Sequence, residues 1–151
     1  MMMAASPIFL DTNVLVYATR PSSPWHTQAR AQIRAALVAG RPCCISNQVI
    51  REYYATMTRP DPTTGVLPSV VTDVLTDLTA FQRAFTVLED TRRVVTALLT
   101  LVQTTLVGGR QIHDANIAAT MISNGITELL THNTAHFARF APWITVVPLD
   151  T

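Results

Sequence analysis

The chain has 151 residues, of which 48% are hydrophobic and 14% charged, with a formal net charge of +1. That length suits one domain spanning the whole chain, able to bury its own core without disulfides or a structural metal, and the composition excludes disorder. The near-zero charge also excludes an all-over basic surface, so any nucleic-acid binding must come from a local arginine cluster; all 11 basic residues are Arg.

Residues 8–10 read as a short strand stopping at Asp11, and Thr12 and Asn13 offer capping side chains for a helix over 14–18. Prolines 21 and 24 break the chain. Apolar residues then recur at helical spacing over 25–38 until Gly40 stops them. Residues 42–45 make a second strand. Ser46 and Asn47 can cap the next helix, with Val49, Ile50, Tyr53, Tyr54 and Met57 on one face. A loop over 59–68 follows, and Ser69 opens a helix whose apolar stripe is Val70, Val71, Val74, Leu75 and Leu78. Residues 85–88 form a third strand and 91–107 a helix ended by Gly108 and Gly109. Asp114 opens a short helix to Ser123, closed by Asn124 and Gly125, and 128–130 and 144–147 complete the strands. Short apolar strands alternating with helices give an α/β fold, a mostly parallel sheet covered on both faces.

Cys43 and Cys44 are adjacent on a strand and point to opposite faces, so they read as small buried hydrophobes in a reducing compartment. Residues 1–7 lack the basic and long apolar regions of a secretory signal. The apolar stretch 94–107 is shorter than the roughly 20 residues of a bilayer span and is interrupted by Thr and Gln. A cytoplasmic protein without a membrane partner is expected.

In an open parallel sheet, ligands bind outside the carboxyl ends of the strands. Asp11, Ser46, Thr131 and Asn133 all follow strands directly. Glu52 lies about a turn and a half into the helix after Ser46, from where it can reach back to the same rim. Asp114 follows a Gly-Gly-Arg turn, so Asp11, Glu52 and Asp114 can converge from distant positions. Singly, each has a plainer reading: Asp11 and Asp114 as helix caps, Glu52 as a solvated acid. Asp11 tilts the balance, because an acid wedged between the apolar runs 8–10 and 14–16 needs a cation or a donor network. Clustered carboxylates repel unless a cation sits between them, and hard oxygen donors favour magnesium or manganese over zinc.

Four segments resemble the PIN-domain ribonucleases, and within them the VapC-type toxins of bacterial toxin–antitoxin pairs. They are Leu10-Asp11-Thr12-Asn13-Val14-Leu15, residues 46–53 from Ser46 to Tyr53, residues 109–120 from Gly109 to Thr120, and Leu129-Leu130-Thr131-His132-Asn133 leading to Phe137. The resemblance implies a three-layer α/β/α sandwich and Mg2+, or Mn2+ as substitute, held by Asp11, Glu52, Asp114 and Asn133. It further implies endonucleolytic cleavage of RNA, a homodimer, and a cognate VapB-like antitoxin whose tail occupies the groove. Asn133 stands where the family often has Asp. Thr12, Asn13, Ser46 and Thr131 match positions that orient the ligands or bound water. Arg110 matches a phosphate contact, and His113 a structural hydrogen-bonder.

Other readings compete. His132 and His136 form His-x-x-x-His without the Glu of a zinc-protease helix, and Gly108-Gly109-Arg110 lacks the Lys-Ser/Thr of a phosphate-binding loop. An aspartyl-nucleophile phosphatase would carry a second Asp where this chain has Asn13. A housekeeping PIN nuclease is one alternative. An RNA- or protein-binding module with weak or lost catalysis is another, favoured by the neutral Asn133.

Overall fold

In a computed structural model of the chain, the structure describes residues 4–149. Residues 1–3, the start of the segment considered for a secretory signal, and residues 150–151 lie outside the described residues.

The elements follow the order β1 (Ile8–Leu10), α1 (Thr12–Thr19), α2 (His26–Val38), β2 (Cys43–Ser46), α3 (Asn47–Met57), α4 (Val71–Ala84), β3 (Thr86–Leu88), α5 (Arg92–Thr104), α6 (Gln111–Ser123), β4 (Glu128–Leu130), a 3-10 helix (Thr134–Phe140) and β5 (Thr145–Val147). The five strands form one sheet in the order β3-β2-β1-β4-β5, and every neighbouring pair is parallel. Register places Ile8 opposite both Cys43 and Glu128, and Leu10 opposite Leu130. β1 and β2 are buried at every residue, as strands covered on both faces must be, whereas the edge strands β3 and β5 are partly exposed.

Right-handed crossovers fix the layers. The chain steps one way from β1 to β2 to β3, then jumps back to β4 and β5, so α1–α4 lie on one face and α5, α6 and the 3-10 helix on the other. Packing agrees: α1 touches α2 and α3, α3 touches α4, and α6 touches α5 and the 3-10 helix. The result is the three-layer α/β/α sandwich. The steps diverge at β1 and β4, whose carboxyl ends therefore flank the crevice where α/β proteins place ligands.

Phe9, Leu10, Leu15, Ile45, Tyr53, Leu129, Leu130 and Phe137 are buried side chains of the core. Each large apolar group stabilises the sandwich by roughly 1.5–3 kcal/mol on burial. At the amino end of the sheet Arg41 pairs with Glu128 and donates to the Ser6 and Pro7 carbonyls, which anchors β1 beside β2 and β4. Cys43 and Cys44 are buried free thiols, pushed up in pKa by burial. Among the described residues no helix is long and apolar enough to cross a membrane.

Several boundaries differ from the sequence reading for identifiable reasons. Thr12 and Asn13 do not cap α1; Asp11 does, as its plainer reading had it, taking the Thr12 N–H at 2.8 Å. The helix α6 begins at Gln111, whose Oε1 reaches back to the Gly108 N–H at 3.0 Å; Asp114 lies in its first turn rather than opening it. The helix α4 starts at Val71 instead of Ser69. Of its expected stripe only Val74 and Leu78 are buried, while Val70, Val71 and Leu75 are exposed. Tyr54 likewise turns outward from the buried Val49, Tyr53 and Met57. The helix α5 stops at Thr104, before the expected Val107.

Candidate active site

Asp11 follows β1 at the sheet's divergence point, where leaving an extended strand for a helix turns its side chain back across the new helix N-terminus. It is only 6% exposed. The Thr12 N–H occupies Oδ1, and the Thr131 hydroxyl donates to Oδ2 at 2.7 Å from the end of β4. The Asn13 amide donates to the same Oδ2 at 3.1 Å and to Thr131 Oγ1 at 3.2 Å, while its own oxygen accepts the His132 N–H at 3.0 Å. Burial nevertheless outweighs these donors, and with Glu52 and Asp114 nearby it raises the Asp11 carboxyl from 3.8 to about 6.

Glu52 comes from α3. Thr12 Oγ1 donates to Oε2 at 2.8 Å, and Gln48, one turn earlier on the same helix, donates to Oε1 at 2.7 Å. Gln48 also donates to the His113 carbonyl at 2.9 Å and accepts from Asn116 at 2.8 Å, which ties α3 to α6 across the crevice. Asp114 is half-buried, and that burial is the main cause of its raised pKa; His136 stands 3.9 Å away and acts in the opposite sense, with Glu52 adding to the rise.

Asp11, Glu52, Asp114 and Asn133 line one cavity of about 410 Å³, although they are distant in sequence. Asn133 directly precedes the 3-10 helix at its N-cap position, and its backbone N–H donates to Thr131 Oγ1 at 3.0 Å. Among the described residues no three His, Cys, Asp or Glu side chains are gathered tightly enough to grip an ion as they stand. By chemistry the lining suits a hard divalent cation: three carboxylates line the cavity together with Asn133, and one acid, Asp11, is buried without a counter-charge of its own.

Residues 8–141 match the family model described as PIN domain. The chain belongs to the PIN domain family.

Solved structures share this PIN fold at low sequence identity. The VapBC2 complex of Rickettsia felis, bound to a DNA fragment from its promoter, superposes with a TM-score of 0.68 at 18% identity, covering 93% of this chain and 97% of that one. A toxin–antitoxin complex from Klebsiella pneumoniae gives 0.64 at 20% identity, covering 95% and 98%. The Mycobacterium tuberculosis toxin VapC20, which cleaves the sarcin–ricin loop, gives 0.63 at 17% identity, covering 91% and 96%. Comparison with curated protein sequences gave no match.

Within this PIN domain the remaining sequence-derived residues fall in different places. Thr12, Asn13 and Thr131 bond to the acids directly. Ser46 is buried behind them and caps α3, accepting the Val49 N–H at 3.4 Å. Arg110 is exposed at the start of α6, outside the cavity wall. The His113 carbonyl holds Gln48. The two histidines of His-x-x-x-His have separate partners: the His132 ring packs on Trp25 and Tyr17, whereas His136 faces Asp114. The sequence reading missed Gln48, although its spacing of four from Glu52 was a usable signal. Arg20, Arg59 and Asp61, which also line the cavity, carried no signal of their own.

Proposed function

We propose that this PIN domain is a metal-dependent endoribonuclease acting in the cytoplasm as the toxin of a type II toxin–antitoxin pair. The observation that carries the reading is the meeting of Asp11, Glu52 and Asp114 in one cavity at the sheet's divergence point, with Asp11 buried there. Solved proteins of the same fold include a toxin that cleaves the sarcin–ricin loop and complexes of toxin with antitoxin, which supports RNA as substrate and a VapB-like antitoxin as partner. A homodimer is part of the same reading.

Asp11, Glu52, Asp114 and Asn133 would hold Mg2+ or Mn2+. A bound divalent cation supplies positive charge to the scissile phosphate and acidifies water for hydrolysis. The protein's own contribution is orientation and charge. Thr131, Asn13 and the Thr12 N–H fix the Asp11 carboxylate, while the Thr12 hydroxyl and Gln48 fix Glu52. Burial keeps Asp11 partly protonated near pH 6, so cation binding is accompanied by proton release there. With Asn133 neutral, the set carries three negative charges, enough to hold one cation well and a second poorly until an RNA phosphate joins it.

The binding-module reading draws on the same Asn133. Purified protein incubated with total RNA in Mn2+ and in EDTA separates the two. Metal-dependent internal cuts, lost in Asp114→Asn, are expected, together with growth arrest on expression in a bacterial host that Asp11→Asn relieves. Intact RNA with bound Mn2+ contradicts the nuclease reading.

A further inference from the structure

Arg20 ends α1 as its C-cap, a position where a cation favours the helix dipole. That placement leaves its side chain unexplained. Its Nε and Nη2 are the two buried side-chain nitrogen or oxygen atoms among the described residues that lack a hydrogen-bond partner. Buried guanidinium N–H groups left unpaired are costly, and an anion with several acceptor oxygens is their natural complement. The group lines the carboxylate cavity and also a second cavity of about 400 Å³, a volume within the range of small-ligand pockets. Tyr17, Arg20 and Asp61 belong to both walls, so Arg20 stands at the junction.

The second cavity is walled by two aromatic rings, Tyr17 and Trp25. His132 braces both: its ring centroid lies 4.3 Å from that of Trp25 and 5.5 Å from that of Tyr17. His132 is in turn tied to the carboxylate site, because its backbone N–H is held by Asn13. An aromatic wall beside an unpaired guanidinium is how proteins take one unit of single-stranded nucleic acid, with the base stacked and the phosphate held by charge.

We infer that Arg20, Trp25 and Tyr17 form a nucleotide subsite that takes the phosphate and unpaired base next to the scissile bond of a single-stranded RNA. The inference rests on the nuclease reading for the identity of the nucleic acid, not for the subsite itself. Base-paired RNA cannot enter, since its bases are already stacked and face a partner strand. Because Nε and Nη2 are buried as the side chain lies, contact with the phosphate requires the Arg20 side chain to turn these N–H groups into the cavity. Asp61, which lines the same cavity and feels the Arg20 charge, competes with the phosphate for the guanidinium and limits its affinity.

The test is binding of a short, labelled single-stranded RNA by anisotropy in EDTA, where no cleavage occurs, with the same sequence as a duplex for comparison. Expected are tighter binding of the single strand, a loss of about tenfold or more in Trp25→Leu and in Arg20→Met, near wild-type binding in Trp25→Phe, and tighter binding in Asp61→Asn. Because Trp25 also packs against the core, Trp25→Leu counts only if it melts cooperatively; Arg20→Met decides otherwise. Equal affinity for duplex and single strand, or wild-type binding by folded Arg20→Met, overturns the subsite. Binding that follows this pattern in a protein that cuts no RNA keeps the subsite and removes the nuclease reading. Cleavage with unchanged binding in Arg20→Met does the reverse.

Discussion

Replacing Asp11 by Asn should stabilise the metal-free protein, although it removes the residue most central to the site. Folding raises the Asp11 carboxyl from 3.8 to about 6, mainly by burial. At 1.36 kcal/mol for each tenfold change in proton affinity, keeping this group ionised at pH 7.5 costs about 3 kcal/mol. Asn is neutral and can still accept the Thr12 N–H. Thr131 Oγ1 already accepts from the Asn13 amide and the Asn133 N–H, so it cannot also accept from the new amide, and its bond to Oδ2 is lost, at about 1 kcal/mol. The bond from the Asn13 amide is lost, at about 1 kcal/mol, because the Asn13 oxygen is already committed to the His132 N–H. A net gain of about 1 kcal/mol remains, or roughly 2–4 °C in Tm for a domain of this size. The sign with pH follows. A carboxyl raised in the folded state penalises stability fully above about pH 6, and the penalty fades as pH falls toward 3.8, where the carboxyl is protonated in both states. The Asn variant's advantage should therefore shrink through that window and reverse below it, where only the lost hydrogen bonds remain. Saturating Mn2+ should invert the order at pH 7.5, since a cation at 100 times its Kd stabilises only the wild type, by about 2.7 kcal/mol. Thermal melts across pH, with EDTA and with Mn2+, measure all of this. An Asn variant less stable than wild type in EDTA at pH 7.5, with a gap that does not change down to pH 4, would refute the reasoning.

Gln48→Ala should cost about 1–3 kcal/mol in thermal unfolding, because it unties Glu52, the His113 carbonyl and Asn116 together; a loss below about 0.5 kcal/mol would show that the bridge between α3 and α6 is not structural. Asn133→Asp should tighten Mn2+ binding roughly tenfold or more by adding a charge to the cavity wall, and Asn133→Ala should cost less cleavage than Asp11→Asn, both read by calorimetry and an RNA assay. If Asn133→Asp leaves the affinity unchanged, Asn133 does not face the cation, and Thr131 or His136 takes its place.

The acids were legible in the sequence because each is placed by local rules: one follows a strand, one sits at helical spacing behind a cap, one stands in a first helical turn. The strands were legible too, since residues 8–10 and 43–45 are buried on both faces and so read as unbroken apolar runs. Boundaries slipped where side chains compete for the same backbone groups. Both Asp11 and Thr12 could cap α1, and the reach of Gln111 back to Gly108 starts α6 before the acid that helix N-termini favour. Stripes slipped where spacing cannot tell which apolar residues find a neighbour, as with Val70 and Leu75 on α4. The reach of Gln48 across to His113 and Asn116, the meeting of Arg20 with Asp61 and the packing of His132 on Trp25 join residues far apart in the chain, so only the fold reveals them.

Calorimetric titration of Mn2+ at pH 7.5 into wild type and into Asp11→Asn, Glu52→Gln and Asp114→Asn tests most directly whether these three acids act as one cation site. One ion per chain is expected in the wild type, with binding lost or at least about tenfold weaker in each folded variant. Wild-type affinity retained in any two of the three would contradict the assignment.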